Sequence, residues 1–219
     1  MKSNITTQFI PTDGITDLSP ELLESNRLKL FHAEHYKKYK WNDLRLFCHY
    51  YARYGLPTIE LVDYIKMLIH GRSVIEIGAG AGDLGYHLGI KMTDSYQQTD
   101  PLIKMIYEAM GQPAITYPPD VEKIDALDAV IKYQPKVVVA SWITSHSPTQ
   151  QVYCSNPEGI KEAKILDLID TFIIIGNIDV HGTKPILKIG HEVIQEPWIL
   201  SRAKNQSHNC IYIWDKHNV

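Results

Sequence analysis

A chain of 219 residues with 44% hydrophobic content can bury one sizeable core and carry a helical appendage, but has little room for two independent domains. A formal net charge of −3 supplies no overall basic field to hold a polyanion, so RNA or DNA would need a local patch. Cys48, Cys154 and Cys210 are widely spaced and form no Cys-x-x-Cys pair, which points to a reducing compartment and away from a zinc framework.

No segment has enough consecutive apolar residues to span a bilayer, and the first residues, Met1 to Thr7, lack a long apolar stretch. A cytoplasmic protein without a membrane partner is therefore expected. The ten histidines are scattered. Only His32 and His35 sit at helix-adjacent spacing, and no carboxylate lies at a matching offset, so no metal site is expected.

In chain order, residues 1–20 are polar, contain Pro11, Gly14 and Pro20, and read as a surface arm. From Glu21 to Lys40, leucines alternate with charges, and residues 32–40 read as a solvated helical face. Trp41 to Gly55 carries large residues at helical spacing with a glycine at the C-cap position. Its aromatics, Trp41, Phe47, Tyr50, Tyr51 and Tyr54, suit either a core or the roof of a pocket. Pro57 opens a second helix, Thr58 to Ile69, which buries Leu61, Val62, Ile65, Met67 and Leu68.

Beyond Arg72 strands and helices alternate, which implies a parallel sheet with helices on its faces. Strands are predicted at residues 73–77, 91–93, 136–141 and 171–176, with 114–117 as strand three or its approach, and helices at 83–88, 101–110, 126–133 and 160–168. Two terminal antiparallel strands, residues 192–200 and 209–214, flank a polar connector. Residues 1–70 then form an arm and helical extension packed on a core of residues 71–219.

The most informative stretch is Glu76-Ile77-Gly78-Ala79-Gly80-Ala81-Gly82, directly after Ser73-Val74-Ile75. It reads as a strand ending in an acid, followed by a turn whose alternate glycines remove each Cβ from its inner side and let a ligand lie against the main chain. An anionic Glu76 at the mouth argues against a phosphate there and suits a ligand with positive charge, such as an amino group beside a sulfonium.

These residues resemble motif I of the class I S-adenosylmethionine-dependent methyltransferases: an acid, any residue, then Gly-x-Gly-x-Gly. The resemblance runs from about Ile69 to the C-terminus. It implies an α/β, Rossmann-like, mostly parallel seven-stranded sheet with helices on both faces and an antiparallel C-terminal hairpin. It also implies S-adenosylmethionine as cofactor, with Gly78, Ala79, Gly80 and Gly82 supporting its methionine end.

By the same resemblance, Asp94, followed by Ser95 at the end of strand two, would bind the ribose diol. The helix before it is shorter than the family's by about a turn, roughly four residues, which makes Asp100 the substitute. Asp125 and Ala126 would sit by the adenine; independently, Asp125 is a favoured N-cap for the following helix. Ser141 and Trp142 would lie between the methyl group and the acceptor.

His146 and His181 are the candidate bases, with Asp179 and Lys184 as further acceptor-side groups. The Asn/Asp-Pro-Pro-aromatic signature of adenine and glutamine methylation is absent from strand four, and Tyr117-Pro118-Pro119-Asp120 lies elsewhere. Chain length and mild acidity favour a small-molecule acceptor over RNA and leave a protein acceptor open; nothing fixes the oligomeric state.

Two alternatives share the motif. Gly80-Ala81-Gly82-Asp83-Leu84-Gly85 also satisfies Gly-x-Gly-x-x-Gly, the weak lone match of an NAD-dependent oxidoreductase. A non-catalytic S-adenosylmethionine-binding sensor or partner subunit would show the same cofactor contacts, but with the channel from Ser141-Trp142 plugged.

Overall fold

The structure, a computed structural model, describes residues 16–109, 111–147 and 155–216. Among them, seven strands form the main sheet: β1 (Val74–Ile77), β2 (Lys91–Asp94), β3 (Val121–Lys123), β4 (Val137–Ser141), β5 (Thr171–Asn177), β6 (Glu192–Ile194) and β7 (Asn209–Asp215). Their spatial order is β6-β7-β5-β4-β1-β2-β3. Strands β3, β2, β1, β4 and β5 run parallel, and β7 pairs antiparallel with both β5 and β6. The pairing of β5 with β7 runs unbroken from Thr171↔Asp215 to Asn177↔Asn209.

Alternate side chains of the central strands feed two cores, as the period of a strand requires. Val138, Ala140, Phe172 and Ile174 face α5 (Ala126–Tyr133) and α6 (Glu162–Leu168), where Ala129, Val130 and Ile165 meet them. Val137, Val139, Ile173 and Ile175 face α2 (Ile59–Ile69) and α3 (Asp83–Leu88), through Leu61, Val62, Ile65, Leu84 and Leu88. Each such side chain contributes about 1.5–3 kcal/mol when fully buried. Thr58 caps α2 by accepting from Leu61 N–H at 3.1 Å.

The N-terminal extension builds a third core from Leu18, Leu22, Leu28, Tyr36, Leu44, Phe47 and Leu56 around α1 (Trp41–Tyr50). It is fastened to the sheet at the first residue of α3. The buried Arg53 guanidinium pairs with Asp83 at 2.8 Å, while the other Asp83 oxygen accepts from Leu28 N–H at 2.9 Å. Arg27 adds a bond to the Gly82 carbonyl at 2.5 Å and an ion pair to Asp120.

Several elements differ from the sequence expectation. Helix α1 stops at Tyr50: Ala52 adopts φ 50, and Gly55–Leu56 form a short strand on Leu200–Ser201. Continuing the helix would carry Arg53 away from Asp83. The last strands shorten for the same reason, since Leu200–Ser201 leave the hairpin to pair with Gly55–Leu56. Residues 32–40 contain a 3-10 helix, Ala33–Lys38, anchored by the buried Tyr36 and by His35 stacked on Phe31 with centroids 3.8 Å apart.

Strand three lies at Val121–Lys123, so of the two readings of residues 114–117 they are its approach and not the strand itself. Pro118 and Pro119 lack the N–H a ladder needs, and Ile115 N–H donates instead to Gln98 Oε1 at 2.9 Å. The arm expected over residues 1–20 lies largely outside the described residues, as do Cys154 and Met110. Among the described residues no helix is long and apolar enough to cross a membrane.

Candidate ligand-binding cleft at the strand ends

The C-terminal ends of β1, β2 and β4 open onto a cleft of about 1330 Å³, the position where an open parallel sheet binds ligands. Its floor is the glycine turn and its far wall is Ser141–Trp142. Its roof comes from residues 52–57 and 200–203, the two segments joined by the Gly55–Leu56 pairing. Single small-molecule sites usually measure about 300–1,000 Å³. This cleft has room for two small molecules side by side.

The turn itself is built on positive φ: 58 at Gly78, 56 at Gly80 and 70 at Gly82. A Cβ at Gly78 would stand 2.8 Å from Ile143 Cγ2, and one at Gly80 would stand 3.2 Å from Ile115 Cδ1. Gly78, Ala79 and Gly80 line the cleft, whereas Gly82 does not. A Cβ there would meet Arg27 Nη1 and Met92 Sδ, each at 2.8 Å, so Gly82 serves the docking of the extension rather than an open inner side.

Glu76 lies beneath the turn rather than at its mouth, 1% exposed, and accepts from Gly85 N–H at 2.9 Å. Burial, helped by Asp83 and Asp94 and opposed by the Gly85 N–H and Arg27, raises its pKa to about 8. Near neutral pH it is mostly protonated.

Asp94 pins the turn from the neighbouring strand end. Oδ2 accepts from Gly80 N–H at 2.9 Å, Oδ1 accepts from Tyr96 N–H at 2.8 Å, and the Tyr117 hydroxyl also bonds to it. Burial pushes its pKa up against these bonds. Ser95 is exposed on the cleft beside it. Asp100 also borders the cleft, but caps α4 (Pro101–Ala109) by accepting from Leu102 N–H at 2.9 Å. Asp125 is the N-cap of α5, accepting from Leu127 N–H at 2.9 Å, and both it and Ala126 line the cleft.

Trp142 holds φ 57, rare for a bulky residue and costing on the order of 1–3 kcal/mol. Its N–H donates to the Ile175 carbonyl at 2.9 Å, and its ring rests edge-on against His181, centroids 5.0 Å apart. The strain turns the indole toward the cleft.

The two candidate bases do not line the cleft. His146 Nδ1 donates to the Pro157 carbonyl at 2.7 Å. His181 is fully buried behind Trp142 and accepts at Nδ1 from Asn177 N–H at 2.9 Å. Burial, reinforced by Lys184 and opposed by Asn177, lowers its pKa to about 3, so the imidazole stays neutral.

The further candidates also lie elsewhere. Asp179 pairs with His208 at 2.8 Å, and Lys184 is buried with its Nζ 2.6 Å from Glu162 and 2.8 Å from Ser145 Oγ. Among the described residues no group of three or more His, Cys, Asp or Glu is arranged to hold a metal ion.

Sequence reasoning offered Tyr54 as a roof residue, and the cleft bears this out, but it missed Arg202 and Gln112. Arg202 stacks on Tyr54, its guanidinium carbon 3.7 Å from the ring centroid, and Gln112 accepts from both, at 3.3 Å and 3.4 Å. No spacing could have found these two, because Gln112 and Arg202 come from loops far from Tyr54 in the chain. Gln98, whose amide oxygen holds Ile115 over the turn, was hidden in the same way.

No family model and no curated protein sequence matches this chain. Solved structures similar to it include a putative RNA methyltransferase, PH1948, from Pyrococcus horikoshii, at 14% identity, over 84% of this chain and 95% of that one, with a TM-score of 0.37. A putative caffeoyl-CoA O-methyltransferase from Staphylococcus aureus is similar at 12% identity, over 82% and 94%, with a TM-score of 0.35. A SAM-dependent methyltransferase from Agrobacterium tumefaciens is similar at 11% identity, over 72% and 61%, with a TM-score of 0.37.

Superpositions this loose carry no weight about chemistry, and the fold is read from the sheet itself. That sheet is mostly parallel, has helices on both faces and closes with the antiparallel β7. The fold is Rossmann-like, a mostly parallel α/β sheet with an antiparallel terminal strand. A dinucleotide-binding half would instead continue with parallel strands.

Proposed function

We propose that this protein is an S-adenosylmethionine-dependent methyltransferase acting on a small molecule. One observation carries the reading: the glycine turn, Asp94, Asp125 and the Ser141–Trp142 edge all border a single continuous cleft. The cofactor's fit is supported by the Gly78–Gly80 main chain, which borders the cleft with both glycines at positive φ, and by Glu76, a buried carboxyl whose ionised form a neighbouring cation would restore.

When bound, S-adenosylmethionine supplies an electrophilic methyl group on a sulfonium. Asp94 would accept from the ribose hydroxyls with lone pairs left after its backbone bonds. Asp125 would face the adenine amino group, and the Gly78–Gly80 main chain would carry the methionine end. Trp142 would fix the acceptor's approach.

Methyl transfer is a displacement in which alignment of donor and acceptor supplies several kcal/mol. No histidine lines the cleft among the described residues. The continuity of the cleft from the turn to Trp142 favours an enzyme over a sensor.

Calorimetric titration with S-adenosylmethionine, S-adenosylhomocysteine and NAD tests the proposal. Saturable binding of the first two is expected. Tight binding of NAD alone would replace it with the oxidoreductase reading.

A further inference from the structure

Three basic residues line the cleft, and their surroundings differ. Arg53 is held by Asp83 at 2.8 Å. Lys123 is exposed at the β3 end, its Nζ 6.0 Å from the Tyr96 ring centroid. Arg202 is half-buried in the roof, stacked on Tyr54, and has no carboxylate partner among the described residues. Its one described side-chain acceptor is the neutral Gln112 oxygen, at the long distance of 3.3 Å.

A guanidinium so placed is a fork of donors shaped for two oxygens of one anion. Stacking on Tyr54 orients it without neutralising it. The same Tyr54 ring lies 6.2 Å from Trp142, so the cation and the strained indole belong to one wall. Gly55 leaves that wall thin: a Cβ there would touch Ser141 Oγ at 3.4 Å and Trp142 Nε1 at 3.5 Å.

Six carboxyls border the cleft, Glu76, Asp83, Asp94, Asp100, Asp125 and Glu158, and no described ion pair joins any of them to Arg202. Asp83 is engaged by Arg53, Glu76 is raised to a pKa of about 8, and Asp94 lies against the turn.

We infer that the roof end of the cleft seats an acceptor bearing an anionic oxygen group, a carboxylate or a phosphate, on Arg202, with its apolar body against Trp142. This rests on the methyltransferase reading and names the acceptor class for the same site. The anion displaces the Gln112 oxygen from Arg202, exchanging a weak neutral contact for a charge-assisted pair.

Fluorescence-detected melting and calorimetry with benzoate, phenyl phosphate and the neutral benzamide test it, each with and without saturating S-adenosylhomocysteine. At least one anion is expected to bind at least about tenfold more tightly than benzamide. Which anion wins separates a carboxylate acceptor from a phosphate one. Arg202→Gln should bring that anion down to the benzamide level while S-adenosylhomocysteine still binds, which also reports an intact fold. Gln112→Ala, which removes the competing oxygen, should leave anion affinity equal or higher.

Equal binding of anions and benzamide, or anion binding that survives Arg202→Gln, overturns the inference. So does equal loss in both variants, which would mark the Arg202–Gln112–Tyr54 group as roof packing. Failure of S-adenosylhomocysteine to bind the unmodified protein would instead remove the methyltransferase reading, and the arms without it would still decide the anion site.

Discussion

The buried carboxyls around the cleft fall into two kinds, and the contrast separates scaffold from site. Asp83 and Glu162 each hold a buried cation, Arg53 at 2.8 Å and Lys184 at 2.6 Å. Glu76 and Asp94 are as deeply buried but rely on backbone N–H groups, with a tyrosine hydroxyl added at Asp94. The first kind fastens loops: Asp83 ties the extension to α3, and Glu162 ties the chain after β4 to the segment after β5. Asp83 borders the cleft together with Glu76 and Asp94, but only the second kind lacks a cation that a ligand could supply.

The contrast breaks most visibly at the paired kind. Lys184→Met should leave Glu162 buried without its cation, at a cost of about 3–5 kcal/mol, or a fall in Tm of roughly 6–20 °C. Adding Glu162→Leu should recover much of that loss. Thermal melts that shift by only a degree or two would place this pair with surface pairs of little worth.

Gly80→Val puts a β-branched side chain at φ 56 against Ile115. A loss of S-adenosylhomocysteine affinity of at least about tenfold is expected, with a stability cost on the order of 1–2 kcal/mol. Unchanged affinity would mean that the ligand does not lie on this turn.

Glu76 sharpens the comparison through pH. Its folded pKa of about 8 lies above the ordinary 4.5, so the native state holds the extra proton and stability falls as pH rises through that window. A cationic ligand favours the carboxylate, so binding near pH 7 should release close to one proton. Calorimetry in buffers of different ionisation heat reads that release, and Glu76→Gln should abolish it. Equal release from the variant would assign the proton elsewhere.

A separate effect, on the acid side, is expected at His181. Its pKa, lowered to about 3, gives stability that is present above the usual 6.5 and lost as pH falls toward 3. His181→Phe should flatten the acid limb of urea-denaturation stability measured stepwise from about pH 7 to pH 4. An acid limb as steep as that of the unmodified protein would trace the loss to other groups.

Much of the core was legible because its signals are local. The β4 and β5 runs, Val137–Ala140 and Phe172–Ile175, are apolar at every position, as strands covered on both faces must be. The Asp125 cap follows from short-range hydrogen bonding, and the turn after β1 from its glycines. Legibility failed where a distant partner decided the outcome. Gly55 ends no helix but pairs beside Leu200, and residues 114–117, readable as strand or approach, form a strap. Glu76 points down to Gly85 rather than out to solvent.

By itself the sequence determined the layering, the strand-turn-helix with its acid and glycines, and the parallel order ending in an antiparallel strand. These depend on residue size, polarity and backbone freedom over a few positions. Only the tertiary structure decided which carboxyls are paired, which histidines are shut away from the cleft, and that Arg202 stands over Tyr54 beside Trp142. Charge and access depend on neighbours brought from loops far apart in the chain, and no local pattern encodes those distances.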